Sequence, residues 1–233
     1  MRPAVICAAL LALAACQRFE PRESPLDAAT LTGAIVAAGD TPQWRLSADP
    51  STGAMVLMLG DGTSFEAPYL PPEPTEDGAE IRGGEVHLAL APGPCSVGGV
   101  AYTMRATVQA QGQQALDGCA TLRWDTHLLS LMPQIDACIA AAPENERWVR
   151  YAGEAAGGDM IVRFNTVDCT VASGLATQAQ VTSRNESLRY AGEGEAIFVR
   201  GPGENPGGQC YAAPEVLGEE GELLGWMADP QGC

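Results

Sequence analysis

The segment Val100-Ala101-Tyr102-Thr103-Met104-Arg105-Ala106-Thr107-Val108-Gln109-Ala110 decides the fold class. Tyr102, Met104, Ala106 and Val108 alternate with Thr103, Arg105, Thr107 and Gln109, the period of two that a half-buried strand requires. Gln111 to Gln114 turn the chain, and Ala115 to Arg123 carries it back. Just upstream, Val86, Leu88 and Leu90 alternate with Glu85, His87 and Ala89. Together these runs predict an antiparallel meander.

Working towards the N-terminus, Thr63 to Tyr69, Ala54 to Leu59, Trp44 to Ala48 and Leu31 to Ala38 read as further strands. Asp61-Gly62, Asp49-Pro50 and Gly39-Asp40 punctuate them as turns. Pro71 to Gly78 reads as an acidic loop, because its prolines remove ladder donors. Residues 31–124 are therefore expected to form a β-domain, as antiparallel sheets or a small barrel. Working towards the C-terminus, the period changes. Leu128, Leu131 or Met132, Ile135, Cys138 or Ile139 and Ala142 recur at helical spacing, with Asp125 or Thr126 as N-cap. Pro133 either kinks this helix or begins its main part. Beyond it, Arg147 to Ala152 and Met160 to Asn165 form an expected hairpin. Ala179 to Ser183, Ala196 to Arg200 and Val216 to Trp226 supply more strands, interrupted by the acidic turn Glu219-Glu220-Gly221-Glu222. The predicted class is mainly β (α+β), with a second unit of helix plus antiparallel meander over residues 125–233.

Composition narrows the function. Hydrophobic residues make up 46% and charged ones 18%, so a packed core is expected. The net charge of −16 disfavours nucleic acid and anionic membrane surfaces as partners and favours a basic protein or peptide. The chain has no lysine, which excludes Schiff-base chemistry and P-loop phosphate binding.

The N-terminus supplies an expected address. Arg2 precedes an apolar run from Pro3 to Ala15, shorter than the roughly 20 residues needed to span a bilayer. It ends in Leu13-Ala14-Ala15-Cys16, which resembles a bacterial lipoprotein lipobox. That resemblance implies a signal peptide over 1–15, lipid attachment at Cys16 and a tether over 16–30. It also implies residence in the cell envelope facing the periplasm, with Gln17 after the cysteine favouring the outer over the inner membrane. Cys95, Cys119, Cys138, Cys169, Cys210 and Cys233 then form an even set, as disulfides in an exported chain do. Many connectivities are open, and local order suggests Cys95 with Cys119, Cys138 with Cys169, and Cys210 with Cys233. A metal site is the rival reading, but no cysteine pair has zinc-ligand spacing and the only histidines, His87 and His127, stand apart.

Gly39-Asp40-Thr41-Pro42-Gln43-Trp44, Gly93-Pro94-Cys95, Tyr102 and Gly118-Cys119-Ala120 resemble an uncharacterised domain of proteobacterial envelope lipoproteins. Such domains occur beside META modules and MliC-like inhibitors of c-type lysozyme, which are small β-barrels or sheets. The likeness to the inhibitors is architectural, since they offer a lysine that this chain lacks. Thr41 and Gln43 depart from the acid and the aromatic residue usual in the family.

Residue spacing assigns no reaction. Ser96 or Ser130 with His87 or His127 lack a Gly-x-Ser-x-Gly elbow. Glu80, Glu85, Glu144, Glu146, Glu154 and Asp159 read as solvated charges rather than a glycosidase pair. The expectation is a non-catalytic chain without cofactor or metal. It would be an envelope lipoprotein that binds a protein or peptide, for instance a cationic hydrolase, with Trp44, Trp148 and Trp226 as contact candidates, although each reads first as a core residue. The alternative is a structural scaffold of an envelope complex.

Overall fold

A computed structural model describes residues 26–155, 158–172, 178–207 and 212–230. The protein is mainly β with antiparallel sheets and, among the described residues, one α-helix, as the sequence patterns predict. Nine strands precede the helix: β1 (Ile35–Asp40), β2 (Gln43–Asp49), β3 (Ala54–Leu59), β4 (Ser64–Pro68), β5 (Glu73–Pro74), β6 (Ala79–Gly83), β7 (Val86–Val97), β8 (Val100–Ala110) and β9 (Leu116–Leu122). They form one sheet in the order β4-β3-β2-β1-β9-β8-β7-β6-β5. All are hairpin neighbours except β1 and β9, which pair antiparallel across the whole meander, with Ile35 opposite Leu122.

Burial alternates along β1, β2 and β6, the first half of β7 and the second half of β8, so one face of the sheet encloses a single core. Ile35, Leu46, Leu57, Ile81, Leu88 and Val108 are completely enclosed there. The sheet curls until its far ends meet, with Gly83 of β6 against the Pro68 carbonyl and the Ala67 methyl of β4. This approach partly covers the β4 edge without pairing it, so the sheet is barrel-like rather than a closed barrel. The acidic loop contributes only the two-residue strand β5 at one end, where its prolines cost no interior ladder bond.

The motif residues Gly39, Trp44 and Gly118 converge inside this barrel. Trp44 pairs with Gly39 across the β1–β2 hairpin, and a β-carbon at either Gly39 or Gly118 would collide with the indole. The indole Nε1 donates to the Asp117 carbonyl at 3.3 Å. Next door, Cys119 is bonded to Cys95 with a Cα separation of 5.6 Å, fastening β7 to β9 across β8.

Trp124–His127 form a 3-10 turn leading into α1 (Leu128–Ala141). Leu128, Leu131, Met132, Ile135 and Cys138 are its buried stripe, at the predicted spacing. One local expectation is corrected and one open choice is resolved. Neither Asp125 nor Thr126 caps α1: Asp125 is drawn off by Arg123 at 2.6 Å, and Thr126 Oγ1 accepts from the Ala34 amide at 2.9 Å. Pro133 lies inside α1 rather than at its first position, because the helix has already begun at Leu128.

The second half has two four-stranded sheets. β11 (Tyr151–Glu154), β12 (Met160–Arg163), β13 (Val167–Val171) and β14 (Ala179–Ser183) form an antiparallel meander in that order. β10 (Trp148–Val149), β16 (Ile197–Arg200), β18 (Leu223–Ala228) and β17 (Glu215–Leu217) form the other, in the order β10-β16-β18-β17. Cys138 of α1 is bonded to Cys169 of β13, both fully buried, so the helix is fixed to the first of these sheets. A core running from Trp124 to Phe198 packs the helix and these sheets, distinct from the barrel core, and Ile197, Val199, Ala213, Trp226 and Ala228 form a smaller third cluster. A two-residue strand, β15 (Arg189–Tyr190), leaves this half and pairs parallel with β8 of the barrel.

Candidate functional site

The outer face of β1, β2 and β3 is less polar than a solvent face needs to be. Inward residues Ala37, Leu46 and Leu57 alternate with outward ones, and the register places Val36 beside Ser47 and Val56, and Ala38 beside Arg45 and Met58. Residues 184–195 of the second half stand over this face. The space between them is a cleft of about 770 Å³, which Tyr102 and the β7–β8 turn also line.

One buried arginine sets the wall. Arg163, fully enclosed on β12, uses all five of its N–H donors. Its Nε and Nη2 grip Asp168 at 2.8 and 2.9 Å; Nη1 donates to Glu193 at 2.9 Å and to the Leu188 carbonyl; Nη2 also donates to the Asn185 carbonyl at 3.2 Å. Its guanidinium sits 5.0 Å from the Tyr190 ring centre, and Tyr190 stacks on Tyr151 at 4.5 Å. Burial alone would lower the Arg163 pKa, but the two carboxylates more than offset it and hold the charge. Glu193 also accepts from Arg184 at 2.9 Å. The Trp124 indole donates to the Gly192 carbonyl at 3.3 Å, and the Ala191 amide donates to Ala101 of β8 at 3.1 Å. The wall is thus tied to its own sheet and to the barrel.

The cleft's charges divide into engaged and available groups. Arg184, Glu186 and Glu193 pair with one another or with Arg163, and Asp40 accepts from the Gly98 amide at 2.9 Å. Arg45 and Arg189, both exposed, have no carboxylate partner among the described residues. Arg150 is held only by Asn165 at 3.1 Å, with its Nε enclosed and unpartnered. Glu195 is the available acid. The Tyr102 hydroxyl has its pKa raised, chiefly by burial, with Arg45 opposing and Asp40 and Glu195 adding to the shift.

The sequence candidates fall elsewhere in part. Trp44 and Trp226 are 1% and 4% exposed and serve as core, Trp44 inside the barrel at the border of the cleft and Trp226 against Val199 across β16–β18. Trp148, on the edge strand β10, remains 36% exposed. Cys16, Cys210 and Cys233 lie outside the described residues. His87 bonds Glu80 at 2.9 Å, and Glu80, held below its usual pKa chiefly by Arg82, completes a surface ion pair. The His127 Nδ1 lies 2.9 Å from the Arg123 carbonyl, while the Ser130 hydroxyl donates to the His127 carbonyl, so that serine and imidazole are not coupled. Burial holds the His127 pKa below its ordinary value. Glu146, read as solvated, is buried: it accepts from the Asn165 and Thr166 amides at 3.2 and 3.1 Å and from the Thr166 hydroxyl, shaping the β12–β13 turn. Among the described residues no group of three or more His, Cys, Asp or Glu is placed to hold a metal.

The cleft escaped sequence reasoning because its floor, residues 36–58, and its wall, residues 184–195, are far apart in the chain; Arg163 escaped it because its partners Asp168, Asn185, Leu188 and Glu193 are spread over separate turns. The fold and the cleft define a disulfide-fastened, mainly β protein with a walled groove on a barrel. Comparison of the chain with protein-family models, curated proteins and solved structures finds no match.

Proposed function

We propose that this chain is a lipid-anchored protein of the bacterial envelope that acts as a non-catalytic binding module for a protein or peptide. The observation that carries the reading is the cleft: an apolar strip of barrel surface faced by a wall that Arg163 holds in place. A groove whose sides are fixed before the ligand arrives spares the ordering cost that weakens association through flexible loops. The net charge of −16 supports a basic partner, drawn in by the exposed acids of the β17–β18 turn and the loop before β6. The lipobox-like Leu13-Ala14-Ala15-Cys16 supports the anchor.

The test is a pull-down from native envelope extract with the Cys16→Ser protein made without residues 1–15, eluted by a salt gradient and read by mass spectrometry. A basic protein released at moderate salt supports the module and names its partner. Recovery of membrane-assembly proteins alone, retained at high salt, replaces this reading with that of a scaffold.

A further inference from the structure

We infer that the cleft between the barrel's outer face and residues 184–195 seats the free C-terminal carboxylate of a short apolar peptide. The inference rests on the cleft being the binding site and goes further, to the chemistry of what enters it.

The floor supplies the first argument. Met58 is 54% exposed and Leu188, on the opposite wall, 36% exposed, and Val36 and Val56 extend the strip between them. Apolar side chains left facing one another across a groove gain from any ligand that displaces the water between them.

The charges supply the second. In a chain of net charge −16, three arginines of this one cleft, Arg45, Arg150 and Arg189, lack carboxylate partners among the described residues. Guanidinium groups bind planar carboxylates through paired N–H donors, and such charge-assisted bonds strengthen where an apolar surface excludes water. Phosphate shares that preference for arginine, but Glu195 and Asp40 line the same cleft and repel a polyanion. Those acids suit instead the amide N–H groups of a peptide, whose one negative charge lies at its end. An apolar body, a single terminal charge and amide donors together describe a peptide C-terminus.

The test is isothermal titration of the full chain with N-acetyl-Ala-Val-Leu as the free acid and as its C-terminal amide. The acid is expected to bind and the amide to bind at least about tenfold more weakly, the loss of one charge-assisted contact. The double substitution Arg45→Gln/Arg189→Gln is expected to weaken the acid by a similar factor, with near-ultraviolet circular dichroism unchanged. Arg105→Gln, a barrel arginine bonded to the Pro92 carbonyl outside the cleft, should leave binding as it is. Equal binding of acid and amide, undiminished binding to the double variant, or no binding of either peptide overturns the inference. A partner still captured from extract by the double variant would then show that the module reading survives without it.

Discussion

Replacing Arg163 with methionine is the sharpest test of how the cleft wall is held. Methionine has a comparable length and no charge, so the packing volume is largely kept while five hydrogen bonds disappear. Asp168, 5% exposed, keeps only the Asn185 amide at 3.0 Å, whereas Glu193 retains Arg184. Stranding one member of a buried pair costs about 3–5 kcal/mol. With a urea dependence of about 2 kcal/mol/M, the midpoint should fall by about 2 M. The accompanying Asp168→Leu change should recover part of the loss, because the uncompensated charge is gone. Hydrogen exchange supplies the local readout: the Ala191 amide, which bridges to β8, should lose protection first. A midpoint shift worth less than about 1 kcal/mol, with Ala191 still protected, would refute the claim that this arginine holds the wall.

Three further outcomes are expected. Removing the Cys138–Cys169 bond by paired alanine substitution should cost about 3–4 kcal/mol in chemical denaturation, the loop entropy of its 31-residue separation. Trp44→Ala should cost about 3–5 kcal/mol, while Trp148→Ala should stay within about 1 kcal/mol and, if β10 meets the partner, reduce pull-down recovery. His127 is buried with a lowered pKa, so the unfolded chain takes up its proton first as the pH falls. Its contribution is complete above about pH 6.5 and is lost on acidification towards the folded value, and His127→Gln should flatten that part of the stability profile.

Strand patterns were the legible part of the chain. Val100–Ala110 occurs with the boundaries its alternation predicts, and Ala54–Leu59 and Ala179–Ser183 with those read from their apolar runs and neighbouring turns. Short elements without such a pattern were not legible: β13, with no exposed residue, shows no alternation, and β15 is two residues that pair with β8, about ninety positions away. The bonds Cys95–Cys119 and Cys138–Cys169 followed from local order. The core reading of Trp44 and Trp226 holds as well, and Trp44 is enclosed where two glycines, Gly39 and Gly118, clear space for its indole. The cleft was illegible because an outward-facing Met58 or Arg45 reads as solvated until the opposing wall is known.

The seam between β1 and β9 also imposes an order of assembly. The hairpins from β1 to β4 and from β6 to β9 are joined by short turns and can zip locally. Pairing Ile35 with Leu122, by contrast, closes most of the barrel's chain length in one step and bears the slow, entropy-limited cost of distant contacts. Trp44 cannot be enclosed until Gly118 arrives beside it, so its fluorescence should report the closing event rather than the early hairpins. A chain delivered from its N-terminus must therefore keep one side of β1 unpaired until about a third of the sequence has followed it.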